Sequence, residues 1–190
     1  MAIIHRATLV PTKAELIAGW LPGQPWGGGP VAEVVPVGAY RFDDPEGEVG
    51  IESHLVEAGG RLLHVPLTYR GAPLPGAEEW LVGTMEHSVL GTRWVYDGPG
   101  DPIYRDELAR VVREAGTEVR MWVETPDGRE EREPTVRVRG SGAADADATG
   151  ATPEVVVVRE PRPGLTAPTD RTLVGTWAGQ DEPVVLAYLA

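Results

Sequence analysis

The chain has 190 residues, a formal net charge of −12, 42% hydrophobic residues, 24 glycines, 18 prolines and no cysteine. That size and apolar share support one cored domain, built from short, turn-punctuated elements. The charge repels polyanions, which sets aside nucleic acid and membrane as partners, and the missing cysteine excludes disulfides, thiolate metal sites and a thiol nucleophile.

The opening residues MAIIHRATLVPTKAEL lack the apolar run and cleavage site of a secretory leader. No later stretch reaches membrane-spanning length, so a cytoplasmic protein is expected. AIIHRATLV (2–10) alternates and predicts a strand. Thr12 and Glu15 then have capping-box spacing, and Leu16, Ile17, Trp20 and Leu21 fall on one helical stripe. The segment GWLPGQPW (19–26) sets Trp20 and Trp26 around a proline–glycine turn. Trp20 reads as core, whereas Trp26 can either anchor the turn or stack on a ligand.

Strands are predicted over 31–42, 48–58 and 61–70. A three-residue loop, Ala58-Gly59-Gly60, would pair Glu57 with Arg61 and Glu48 with Arg70. In that register Val49, Ile51, Leu55, Leu63, Val65, Leu67 and Tyr69 share one face. Glu52, His54, His64 and Thr68 share the other, with His54 directly opposite His64. The segment 71–80 is a proline-rich excursion ending at Trp80, and 87–98 predicts a further strand. A second helix follows, with Asp101 as N-cap, Pro102 in the first turn, and Gly116 as a left-handed stop. Its buried stripe is Tyr104, Leu108, Val111, Val112 and Ala115. TEVRMWVE and PTVRVRG flank PDG as a hairpin, with Trp122 among charges on the outward side. Residues 140–153 have almost no apolar side chain beyond alanine and read as a linker or long loop. Strands are expected at 154–160, 172–177 and 182–190.

The chemistry in this pattern is sparse. His54, His64 and Glu52 could hold zinc if the hairpin register brought them together, but two exposed histidines on a solvated face is the simpler reading. DDPEGE (43–48) lacks calcium-loop spacing, and the glycines at 27–29 follow a helix and precede a strand, the reverse of a phosphate loop. Ser53, Ser88 and Ser141 are the only serines, and none sits in Gly-x-Ser-x-Gly. No carboxylate pair stands out for glycoside hydrolysis.

Taken in order, the helix ending WLPGQPW, the strands through HVPLTYR, the run VLGTRWVYDGPGDPIYRDELARVV, the low-complexity break and VVVVRE resemble the N-terminal cap domain of bacterial maltokinases, over roughly residues 10–160. The resemblance implies an α+β fold: a mostly antiparallel, curved, cystatin-like sheet with two helices and additional C-terminal strands. It divides the chain into a cap-like domain (1–139), a linker (140–153) and C-terminal strands (154–190) packing on the same domain. In that family the cap precedes a kinase that phosphorylates maltose with ATP and Mg²⁺. Such chemistry needs a phosphate-binding lysine, a catalytic base and Mg²⁺ carboxylates. Here Leu186, Ala187 and Tyr188 stand where the kinase strand would carry its lysine, and Lys13, the sole lysine, belongs to the first helix. No histidine begins a His-x-Asp catalytic loop, and the chain ends before a large kinase lobe. No catalytic residue, cofactor or metal ligand is therefore carried over.

Two functions are expected from this. One is a non-catalytic interaction or regulatory module for a separate kinase-like or α-glucan/trehalose-pathway protein, with 71–80 as its docking surface. The other is a carbohydrate-binding domain or weak carbohydrate-active enzyme. Trp26, Trp80, Trp122, Glu52, His54 and His64 are the candidate ligand or partner surface.

Overall fold

The computed structural model describes residues 2–4, 7–30, 33–125, 128–142 and 153–190. The expected strand over 2–10 is instead two, β1 (Ala2–Ile4) and β2 (Leu9–Val10), which enter different sheets. Helix α1 (Lys13–Trp20) begins as anticipated. The Thr12 hydroxyl accepts the Glu15 amide while the Glu15 carboxylate accepts that of Thr12. Leu16, Ile17 and, just past the helix, Leu21 are buried, and Trp20 packs half-buried beside them.

Strands β3 (Val34–Asp43), β4 (Gly50–Ala58), β5 (Arg61–Arg70), β6 (Leu81–His87) and β7 (Gly91–Asp97) then build a curled antiparallel sheet. Its strand order is β2-β6-β7-β5-β4-β3. The segment expected as one strand over 87–98 is the second half of the β6–β7 hairpin. LVGTMEH, which contains Gly83 and shows no clean alternation, is the missed first half.

The β4–β5 register differs from the expected one by a single residue. Gly59-Gly60 form a two-residue turn, both at positive φ, and Ala58 pairs with Arg61. Leu55 therefore lies opposite His64, and His54 opposite Val65. The expected Glu57–Arg61 and Glu48–Arg70 pairs do not form. Arg61 instead binds Glu160 and the Trp26 and Gly27 carbonyls, while Arg70 grips Asp101. A one-residue slip exchanges faces. It went undetected because β4 is buried on both sides almost throughout, so apolar residues mark neither face as outward.

One face of the sheet packs on α1 through Val56, Ala58, Leu63, Val65, Leu67 and Val95. The other, with Tyr40, Phe42, Ile51 and Leu55, packs on α2 (Pro102–Arg113) and the C-terminal strands. Those strands are β10 (Val136–Gly140), β11 (Val155–Val157), β12 (Thr172–Trp177) and β13 (Gln180–Leu189), in the order β10-β12-β13-β11. Gly140, at which the linker was expected to begin, closes β10, and residues 143–152 of that segment lie outside the described residues.

Asp101 caps α2 as anticipated, accepting the Ile103 amide at 3.0 Å. The left-handed residue after the helix is Ala115 at φ 51°, not Gly116. Gly116 serves close approach instead: a Cβ there would lie 3.2 Å from the Val111 Cα. The hairpin expected between TEVRMWVE and PTVRVRG is also redrawn. β8 (Met121–Thr125) pairs with β9 (Gly128–Arg132) and, in parallel, with β1, whereas β10 joins β12. Four of the five residues in GREER are charged, which hid β9 from any apolar pattern.

Candidate functional site

Helix α1 is eight residues long, and its apolar partners occupy one part of the sheet face. Beside them Arg41, Glu52 and Arg93, with Met85, Tyr69 and Leu9 from the edge of the α1 cluster and with Lys13, line a cleft of about 830 Å³. Strand register sets this grouping, since Arg41 pairs with Glu52, Gly50 with Tyr69, and Met85 with Arg93. Glu52 is ion-paired with Lys13, and His54 Nε2 lies 3.8 Å from it. Burial draws the Glu52 carboxyl upward, but His54, Lys13 and Arg41 outweigh it and hold the group down to about 2. His54 bonds the Tyr69 hydroxyl at 3.0 Å. Its own burial, opposed by Glu52, lowers it to about 4, so the imidazole is neutral at pH 7. Lys13 Nζ also sits 5.5 Å from the Tyr69 ring centroid.

A second cleft, about 510 Å³, brings together Trp20, Trp26 and Trp80 with Gln24, Asp97 and Arg159. Trp26 meets Trp20 edge-on at 5.4 Å, and the Arg159 guanidinium lies 4.3 Å above its ring. Arg159 is ion-paired with buried Asp97, whose carboxyl is raised by burial against the pull of Arg159. Trp80 closes against backbone, for a Cβ on Gly100 would fall 2.0 Å from the indole. Trp26 is thus both a prop for the α1 core and a wall of this cleft.

The six candidate residues separate. Trp26 and Trp80 meet in the second cleft, and Glu52 lines the first with His54 beside it. Trp122 sits in β8, opposite Ile3 and Glu131, and lines neither cleft. His64 is on the opposite face from His54, contrary to the expected register. It bonds the Tyr40 hydroxyl at 2.9 Å and the Leu186 carbonyl at 3.2 Å, where burial and Arg159 lower it to about 3. His54, His64 and Glu52 therefore cannot converge on one ion, and the described residues contain no group of three or more metal-ligating side chains. DDPEGE has a local role: Asp44 accepts the amides of Glu46, Glu48 and Val49.

Lys13, Arg41, Tyr69 and Arg93 escaped sequence reasoning as site residues. The signal available was a charge placed inside apolar strand runs, as in AYRF and GIESHLV.

Residues 20–101 match the family model of the maltokinase N-terminal cap domain. Over those residues the chain is similar to a maltokinase cap domain. The match runs from the last residue of α1 through β7 to the cap of α2, so the cap-like core is the curled sheet. No curated protein matches the chain. Both clefts combine cap-like strands with residues outside the match, Lys13 in the first and Arg159 in the second. Among the described residues no helix is long and apolar enough to cross a membrane.

Proposed function

We propose that the cap-like chain is a non-catalytic interaction or regulatory module serving a separate sugar-kinase or α-glucan/trehalose-pathway protein. The match to a domain that accompanies a kinase carries this reading. The chain's own chemistry supports it: the sole lysine, Lys13, is spent on Glu52, and the terminal strand β13 carries none. The cystatin-like topology, glucan-pathway setting, cytoplasmic location and three-part division of the chain belong to the same reading. Its docking surface is the 71–80 excursion, where most residues are exposed and Leu81 follows at 38% exposure. The test is quantitative affinity capture from the native cell with the wild-type chain and a Trp80→Ala variant as baits. Enrichment of a kinase-like or glucan enzyme by the wild type, reduced by the variant, is expected. Equal recovery with an empty matrix removes the reading.

The three-tryptophan cleft favours a second reading, carbohydrate binding. Indole faces suit the C–H surfaces of sugars, and Gln24, Asp97 and Arg159 supply hydroxyl partners. Calorimetric titration with maltose, trehalose and glucose tests it. Absence of heat together with unchanged indole fluorescence rejects it.

A further inference from the structure

The first cleft holds charge that the fold uses only in part: Arg93 donates to the Leu90 carbonyl and Arg41 helps keep Glu52 ionised, each leaving donors over. Arg41 and Arg93 both line it, yet among the described residues neither guanidinium makes an ion pair, although the chain has 29 acidic residues. Each also has its Nε buried without a hydrogen-bond partner. A guanidinium left with unpaired buried donors is costly, and an apolar side chain on the same strand would avoid that cost. Four carboxylates line the cleft, yet among the described residues none lies within ion-pair distance of either guanidinium. Glu52 is ion-paired with Lys13, with Arg41 adding a smaller pull from a distance, and both Asp44 oxygens are occupied by backbone amides. Asp43 and Glu48 complete the acidic lining. The remaining lining is apolar, with Leu9 half-buried, Met85 buried and Leu90 47% exposed at the lip. Two under-used cations beside an apolar wall, in a volume suited to a small molecule, describe a receptor for an amphiphilic acid.

We propose that this cleft binds a small organic anion, its carboxylate or phosphate-ester head between Arg41 and Arg93 and its apolar body against Leu9, Met85 and Leu90. Arginine forks match either head group bidentately. The inference is independent of the partner reading above and of the tryptophan cleft.

The full chain is titrated calorimetrically with hexanoate, phenyl phosphate and inorganic phosphate, each up to about 10 mM, a range that still detects millimolar affinity. Saturable binding of at least one organic probe is expected, and which probe binds distinguishes a carboxylate head from a phosphate ester. Arg41→Gln/Arg93→Gln is expected to weaken that binding at least tenfold, while Arg162→Gln, an exposed arginine that lines neither cleft, leaves it unchanged. A thermal melt establishes that each variant is folded. If the double variant does not fold, perturbation of the arginine Nε–H resonances on titrating the wild type replaces it. The proposal is overturned if no organic probe binds, if inorganic phosphate binds as tightly as both, if the folded double variant binds like wild type, or if the shifted resonances are not those of Arg41 and Arg93.

Discussion

The two faces of the curled sheet are covered by different means. On the α1 face an eight-residue helix with an exposed cap covers an apolar patch and leaves Arg41, Glu52, Tyr69 and Arg93 around an open cleft. On the other face α2 and the four C-terminal strands close over the sheet, and several polar groups there are tied to the covering layer. His64 is bonded to Leu186, the His64 amide to the Arg159 carbonyl, and Thr68 and Arg70 to Asp101. Buried polar groups thus hold layers together on one face and line an accessible cavity on the other. The closed face should therefore answer substitution with lost stability, and the open face with lost binding.

The largest contrast is expected at Asp101. Its carboxylate receives Thr68 Oγ1 at 2.7 Å, a two-pronged Arg70 at 2.7 Å and the Ile103 amide, all while fully buried. Asp101→Ala removes the cap and strands the Arg70 charge, and should cost about 3–5 kcal/mol. Urea unfolding followed by indole fluorescence measures it. A loss below about 1 kcal/mol, the scale of an exposed ion pair, would show that the closed face is not pinned at this point.

Truncating the apolar partners of the two faces comes next. Leu55 and Leu63 are each fully buried on neighbouring strands, Leu55 toward α2 and Leu63 toward α1. Leu55→Ala and Leu63→Ala should each cost about 2–5 kcal/mol. A sheet with one solvated face would show the loss at only one of them. This two-sided burial also explains what the sequence could and could not convey. The ends of α1, β5 and β12 were legible because Thr12, Glu15 and the flanking turn residues mark them chemically. The β4–β5 register was not, since GIESHLVEA is acceptable either way round when neither face meets water. The same slip hid the site. Placing His54 opposite His64 suggested a metal pair and concealed that Glu52 and His54 share a face with Lys13 and Tyr69. Only the burial of charge within a strand hinted at the cleft, and the partner from α1 lies 39 residues away from Glu52 in the chain.

Acid should separate the faces in pH rather than in magnitude alone. A histidine whose folded pKa is depressed binds its proton more readily when unfolded, so its contribution is complete above the unfolded value and lost as pH falls through the folded one. His64 spans the window from 6.5 to about 3, and His54 that from 6.5 to about 4. Glu52 is also depressed, so its contribution is present above 4.5 and lost as pH falls through about 2. The wild type should therefore lose stability progressively below pH 6.5, by on the order of 6 kcal/mol at pH 4 from the two histidines together. His64→Gln should remove more of that slope than His54→Gln, and Glu52→Gln should flatten only the part below pH 4.5. Unfolding free energies at half-unit pH intervals test the order. Equal slopes in the wild type and His64→Gln would mean that the closed face excludes protons less strictly than its geometry indicates.

The smallest effect is expected at the cap of α1, the counterpart of Asp101 on the open face. Thr12 makes the same kind of N-terminal bond, but its side chain reaches only the exposed Glu15, and no sheet residue depends on it. Water can replace those bonds when the hydroxyl is removed, so Thr12→Ala should cost about 1 kcal/mol. The helix carries Lys13, so fraying its first turn should loosen the Lys13–Glu52 pair, and Glu52 should then titrate closer to 4.5 than to about 2. Carbon-detected titration of the Glu52 carboxyl in wild type and Thr12→Ala reads this directly. An unchanged Glu52 titration alongside the stability loss would mean that Arg41 and His54 hold the carboxylate without help from the helix.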